Sequence, residues 1–168
     1  MSALKIVVSG PACAGKTTFV EGLTDEGLVS TEERTTGAGG QTTTTVGLDY
    51  GRVQIDDQSV TLFGTPGQAR FEYLWDILGE GADGCVFLVP ADGASTANAS
   101  LQFVRRLSRE ERAPVVVGVT RTDLVPSEQS TDVQEQLQPI AWRIEEIDPR
   151  DHAQCRRLLA GLVRLLRD

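Results

Sequence analysis

The chain has 168 residues, and 16 Lys and Arg set against 24 Asp and Glu leave a formal charge of −8. With 40% hydrophobic and 24% charged residues it is composed like a globular protein, at a length that suits one domain over residues 1–168. The acidic balance excludes a nucleic-acid partner held through its phosphates, and apolar runs such as Cys85 to Val89 fall far short of the ~20 residues a membrane span needs.

In chain order, Leu4 to Val8 reads as a short buried strand. It leads into Gly10-Pro11-Ala12-Cys13-Ala14-Gly15-Lys16-Thr17, after which Thr18-Phe19-Val20 opens a helix. The Thr/Gly-rich stretch from Thr31 to Thr45 reads as a loop. Val53 to Ile55 and Val60 to Phe63 read as a hairpin around Asp56-Asp57-Gln58. Cys85 to Val89 and Ala113 to Val119 are continuous apolar runs, the kind buried on both faces in a parallel sheet. Ser95 to Arg109 places Leu101, Val104 and Leu107 on one helical face, with Ser95 as its cap. The last segment sets Leu158, Leu159, Leu162, Val163, Leu165 and Leu166 on a second apolar stripe.

Strand and helix in alternation predict an α/β doubly wound sheet, mostly parallel, with helices on both faces. Six strands are expected, one of them an antiparallel edge strand. Ligands of such sheets sit at the carboxyl ends of the strands, so the loops there should carry the chemistry. The N-terminus shows no secretory signal, Ser2 replaces the glycine needed for myristoylation, and the C-terminus has no prenylation box. No direct membrane anchor is therefore expected. Cys13, Cys85 and Cys155 are odd in number and lack metal spacing, which suits reduced thiols in a cytoplasm.

Residues 10–17 match G-x-x-x-x-G-K-[ST] in a strand–loop–helix setting, the signature of a nucleotide phosphate loop. Its chemistry explains the residue types. Backbone N–H groups through Ala12, Cys13, Ala14 and Gly15 and on to Thr18 surround phosphate oxygens at a helix N-terminus. Gly10 and Gly15 permit the turn and the close approach. Lys16, in a solvent-facing site, neutralises the β- and γ-phosphates, and the Thr17 hydroxyl is offered to Mg²⁺. An incidental glycine loop is the bland alternative. Against it stands the scarcity of lysine, present only at Lys5 and Lys16 beside 14 arginines.

Together with the phosphate loop, Thr45-Val46-Gly47-Leu48-Asp49-Tyr50, Gly64-Thr65-Pro66-Gly67-Gln68 and Thr120-Arg121-Thr122-Asp123 stand in the order and spacing of a Ras-like small GTPase. Over nearly its whole length the chain resembles that superfamily. Gly67-Gln68-Ala69-Arg70-Phe71 with Trp75 resembles the second switch of Rab- and Arf-type proteins, and in detail the chain looks most like bacterial MglA-type and conservon-type GTPases. The resemblance implies that Thr45 reports the γ-phosphate through Mg²⁺ and that the N–H of Gly67 meets the γ-phosphate. It also implies that Gln68 orients the attacking water, with Lys16 as its catalytic companion, and that Asp123 reads guanine. A carboxylate accepts guanine's N1–H and exocyclic amine, whereas adenine lacks both donors on that edge. Among partners the resemblance implies a roadblock-type regulatory protein and a sensor-kinase-like membrane protein.

Three departures from the superfamily pattern are visible. Gly64 stands where the D-x-x-G aspartate touches Mg²⁺ through water, so Mg²⁺ binding should weaken but survive. Thr120 and Arg121 replace Asn and Lys of N-K-x-D. Arg121 can still lay its flat guanidinium over a base, while Thr120 is expected to lose the tie to the phosphate loop. Finally, Asp148-Pro149-Arg150 replaces S-A-K. Pro149 has no N–H for guanine O6, though a one-residue slip would bring Arg150 there. Arg34 and Arg52 are candidates for an arginine acting in cis on the transition state.

The leading reading is a switch that binds GTP and GDP with Mg²⁺ and slowly hydrolyses GTP. A nucleotide-binding scaffold with little turnover is the runner-up, because of Gly64. An ATP-using P-loop kinase or transferase is a third class, for whose lid and substrate pocket the chain has little room.

Overall fold

The computed structural model describes residues 2–25, 29–36, 43–67 and 72–168. In chain order these form β1 (Leu4–Ser9), α1 (Lys16–Leu23), β2 (Val29–Thr36), β3 (Thr43–Ile55), β4 (Gln58–Gly64) and α2 (Glu72–Gly79). Then follow β5 (Gly84–Pro90), α3 (Asn98–Glu110), β6 (Val115–Thr120), α4 (Ser127–Leu137), β7 (Arg143–Glu146) and α5 (His152–Arg167).

The strands form one sheet in the order β2-β3-β4-β1-β5-β6-β7. β1 runs parallel to both β4 and β5, and β5, β6 and β7 continue in parallel. β3 alone runs against β4, through a hairpin that turns at Asp56 and Asp57. This is the doubly wound, mostly parallel sheet that the alternation predicts. A seventh strand, β2, adds outside the six expected ones, so the reversed strand β3 lies second from the edge. The stretch read as a loop from Thr31 to Thr45 is therefore strand at both its ends, with residues 37–42 outside the described part. β-Branched threonine suits an extended chain, and the partner strand completes the ladder.

Alternate residues of each central strand separate two cores. Ile6, Val8, Val86 and Leu88 face α1 and α5, where Phe19, Val20, Leu158, Leu159 and Leu162 meet them. Val7, Phe87, Val89 and Val117 face the other way, onto Trp75 of α2, Phe103 and Val104 of α3, and Val133 of α4. Burial on both faces is why these strands read as unbroken apolar runs. α5 starts at Asp151, whose carboxylate accepts the N–H groups of Ala153 and Gln154. α3 departs from expectation: Ser95 lies in a 3₁₀ turn, Ala94–Ala97, and no side chain caps the helix. Among the described residues no helix is long and apolar enough to cross a membrane. All three cysteines are free thiols.

The connection after β1 leads toward β2 on one side and the connection after β5 toward β6 on the other, so a crevice opens at the carboxyl ends of these two strands. The loop 10–17 lies there.

Candidate functional site

The phosphate loop joins β1 to α1. Gly15 precedes the helix in a left-handed conformation, φ 97°, that side chains rarely adopt. No side chain caps α1 and no acidic residue lies in its first turn, so its N-terminal amides are left for an anion. Lys16 is not solvent-facing as its sequence context suggests: it is 7% exposed, and its Nζ donates to the carbonyls of Gly10 at 2.8 Å and Pro11 at 2.6 Å. Burial lowers its pKa from 10.5 to about 8, against the opposing pull of the Asp49 charge. The lysine closes on the loop that carries it, as a cation does when carbonyls are its available acceptors.

Gly67 meets this loop directly. A Cβ there would lie 2.6 Å from the Ala12 nitrogen and 2.9 Å from Lys16 Nζ, so only glycine fits. Two contacts hold the segment before it: the Thr65 N–H donates to the Val8 carbonyl at 2.9 Å, and Trp75 Nε1 donates to the Pro66 carbonyl at 2.7 Å. Gln68 lies outside the described residues. Thr45 sits on β3 opposite Arg34 of β2, and the side chains of both lie outside the described part. Arg52 points its Nε at the Tyr50 hydroxyl, 2.8 Å away.

A residue that motif reading passes over completes this end of the site. The Thr17 hydroxyl donates to Asp49 Oδ2 at 2.5 Å. Asp49 pairs with Gly64 across the β3–β4 ladder, and a Cβ on Gly64 would lie 3.1 Å from that of Asp49. Counting outward from the Asp56–Asp57 turn leads to the same pairing, so the hairpin register is the signal that could have found it.

Beside the loop opens a cleft of about 850 Å³ lined by Cys13, Gly15, Thr18, Arg121, Asp123 and Pro149, among others. Every residue expected at the base lies on it: Thr120, Arg121 and Asp123 on one side, Pro149 and Arg150 on the other. Thr120 overturns its expectation. Its hydroxyl donates to the Ala14 carbonyl at 3.1 Å, so the tie to the phosphate loop is kept by a shorter donor. Arg121, at φ 58°, grips the Asp92 carboxylate through Nε and Nη2. That pairing draws the Asp92 carboxyl below its ordinary range and lifts the guanidinium above its own. Asp92 is a second residue that motif reading passes over. The N–H of Arg150, the donor a register slip would supply, is engaged by Asp148 Oδ1 at 2.9 Å, and its guanidinium also binds Asp148.

Residues 26–168 match the model of a family described as "Conserved hypothetical ATP binding protein". The chain belongs to that family. An uncharacterised protein of Methanocaldococcus jannaschii is 30% identical over 122 residues, covering 72% of this chain and 71% of that protein. Among solved structures, bacterial selenocysteine-specific elongation factor EF-Sec superposes with a TM-score of 0.73 at 15% identity, over 99% of this chain and 29% of that one. Translation elongation factor SelB from Methanococcus maripaludis, in complex with the GTP analogue GPPNHP, gives 0.71 at 15% identity, over 99% and 34%. The chain thus spans about a third of each of these structures and shares with them the P-loop nucleotide-binding fold.

Proposed function

We propose that this chain is a guanine-nucleotide switch that binds GTP and GDP with Mg²⁺ and slowly hydrolyses GTP to GDP and phosphate. In this proposal residues 1–168 form one G domain, of the bacterial MglA and conservon type. It acts in the cytoplasm beside a roadblock-type regulatory protein and a sensor-kinase-like membrane protein. The observation that carries it is the continuity of the two halves of the site. Thr120 bonds to Ala14 and Pro149 packs on Gly15, so the cleft bearing Asp123 is anchored to the phosphate loop.

Each residue then has a task. Lys16 leaves the carbonyls of Gly10 and Pro11 for the β- and γ-phosphates, joined by loop amides from Ala12, Cys13, Ala14 and Gly15 through Thr18. Gly67 offers its N–H to the γ-phosphate. Gln68 orients a water whose oxygen attacks the γ-phosphorus while the bond to the bridging oxygen of GDP breaks. Asp123 accepts the N1–H and amine of guanine, with Arg121, held by Asp92, alongside the base. The oxygen donors Thr17 and Asp49 suit a hard divalent cation. Thr17 and Thr45 would hold Mg²⁺, which when bound offsets phosphate charge.

The family description favours ATP as a second reading. What supports guanine is the Asp123 carboxylate, exposed in the cleft where adenine would leave it unpaired. Competition of GDP and ADP for a labelled nucleotide decides between them, with GDP expected to bind tighter by orders of magnitude. Equal binding would overturn the guanine assignment. Single-turnover phosphate release separates the switch from a scaffold: no release above background establishes the scaffold.

A further inference from the structure

We infer that Asp49 is the acidic group of the Mg²⁺ site, supplied from β3 to replace the carboxylate missing at Gly64. The inference rests on the nucleotide–Mg²⁺ reading above and adds to it a residue that no motif assigns.

Two observations converge. First, Asp49 occupies the space belonging to a side chain at 64. The ladder pairs the two residues directly, and a Cβ built on Gly64 would lie 3.1 Å from Asp49 Cβ and 3.5 Å from its Oδ2. Both carboxylate and glycine are accommodated because one of the facing positions has no side chain. A carboxylate at both would set two like charges side by side on neighbouring strands.

Second, the carboxylate holds the one hydroxyl that a phosphate loop offers to a cation. Thr17 Oγ1 gives its proton to Asp49 Oδ2 at 2.5 Å. A hydroxyl has one proton and two lone pairs, so donating to Asp49 turns the lone pairs away from the carboxylate and leaves them available for a cation. Such a neighbour both orients a ligand and makes its oxygen a better donor.

The test is the Mg²⁺ dependence of nucleotide retention, read as dissociation of a fluorescent GDP analogue over a Mg²⁺ titration, with no turnover required. Asp49→Ala and the isosteric Asp49→Asn should each need ~10-fold or more Mg²⁺ to slow release as the parent does, the usual effect of losing an outer-sphere partner. The decisive variant moves the carboxylate across the ladder: Asp49→Gly with Gly64→Asp should return the Mg²⁺ requirement toward that of the parent. Circular dichroism confirms that each variant is folded. Unchanged Mg²⁺ dependence in Asp49→Asn, beside a parent that responds to Mg²⁺, would overturn this inference alone. A parent whose GDP release ignores Mg²⁺ would overturn the Mg²⁺ reading and this inference with it.

Discussion

Pro149 stands so close behind Gly15 that a methyl group on Gly15 would lie 2.5 Å from the proline Cγ. The phosphate loop and the loop beyond β7 are thus fitted to each other. Gly15→Ala meets both this contact and the strain of φ 97°, itself ~1–3 kcal/mol. A lower unfolding midpoint and loss of measurable GDP binding are expected, by thermal melting and nucleotide titration. Adding Pro149→Gly should recover part of the stability, since it relieves the contact but not the φ.

Thr120→Val keeps the shape and removes the donor to the Ala14 carbonyl. A buried acceptor left without its partner costs ~1–3 kcal/mol. The variant should melt earlier and release GDP faster, while its preference for GDP over ADP stays as in the parent. Release unchanged from the parent would show that the tie does not support the bound state.

The folded pKa of Lys16, about 8, lies below the 10.5 of an unperturbed lysine. Between those values the bare folded chain holds fewer protons than the unfolded one, so this group makes stability rise with pH across that window. Its burden is fully present below about pH 8. Phosphates restore the charged form, so GDP binding above pH 8 must take up a proton, and affinity should fall by up to ~10-fold per pH unit there. Calorimetry in two buffers of different ionisation enthalpy measures the uptake directly. Proton-neutral binding at pH 9 would remove Lys16 from the phosphates.

Gln68→Leu should slow phosphate release ~10-fold or more while leaving GDP affinity near that of the parent, because water orientation belongs to the reaction and not to the bound ground state. Equal single-turnover rates would show that a different group positions the water.

Asp123→Asn should turn preference from guanine toward xanthine nucleotides. The amide offers a donor where the carboxylate accepted, and xanthine has a carbonyl where guanine has its amine. Competition of GDP and XDP reads the shift, and loss of both without a change in preference would mean that Asp123 does not face the base.

Much of this architecture was legible because it rests on local rules. Gly10 to Thr17 carries its own turn geometry, and runs such as Val115 to Val119 announce a strand covered on both faces. Relations between elements were harder to read. Thr120 looked like a lost tie because amide and hydroxyl differ as residue types, yet a single N–H or O–H is all the Ala14 carbonyl requires. Asp49 lies in the stretch Thr45 to Tyr50 but has no role assigned there, and its place is visible only through the register of β3 against β4. Asp92 reaches Arg121 from the loop after a neighbouring strand, a pairing that depends on the sheet order. Lys16 folds back on its own loop through three-dimensional burial, which no spacing encodes.

The two tryptophans differ as optical probes. Trp75 is 1% exposed, and its indole N–H reads the carbonyl of Pro66, one residue before Gly67. Trp142 is 71% exposed, in a groove with Arg105 and Arg109. Acrylamide should therefore quench the red-shifted emission of Trp142 first and leave a blue component from Trp75. If the Thr65–Gly67 segment shifts when a γ-phosphate arrives, the blue component alone should change. Stopped-flow emission of the unlabelled protein would then follow the nucleotide cycle in real time, with Trp142 as the internal reference.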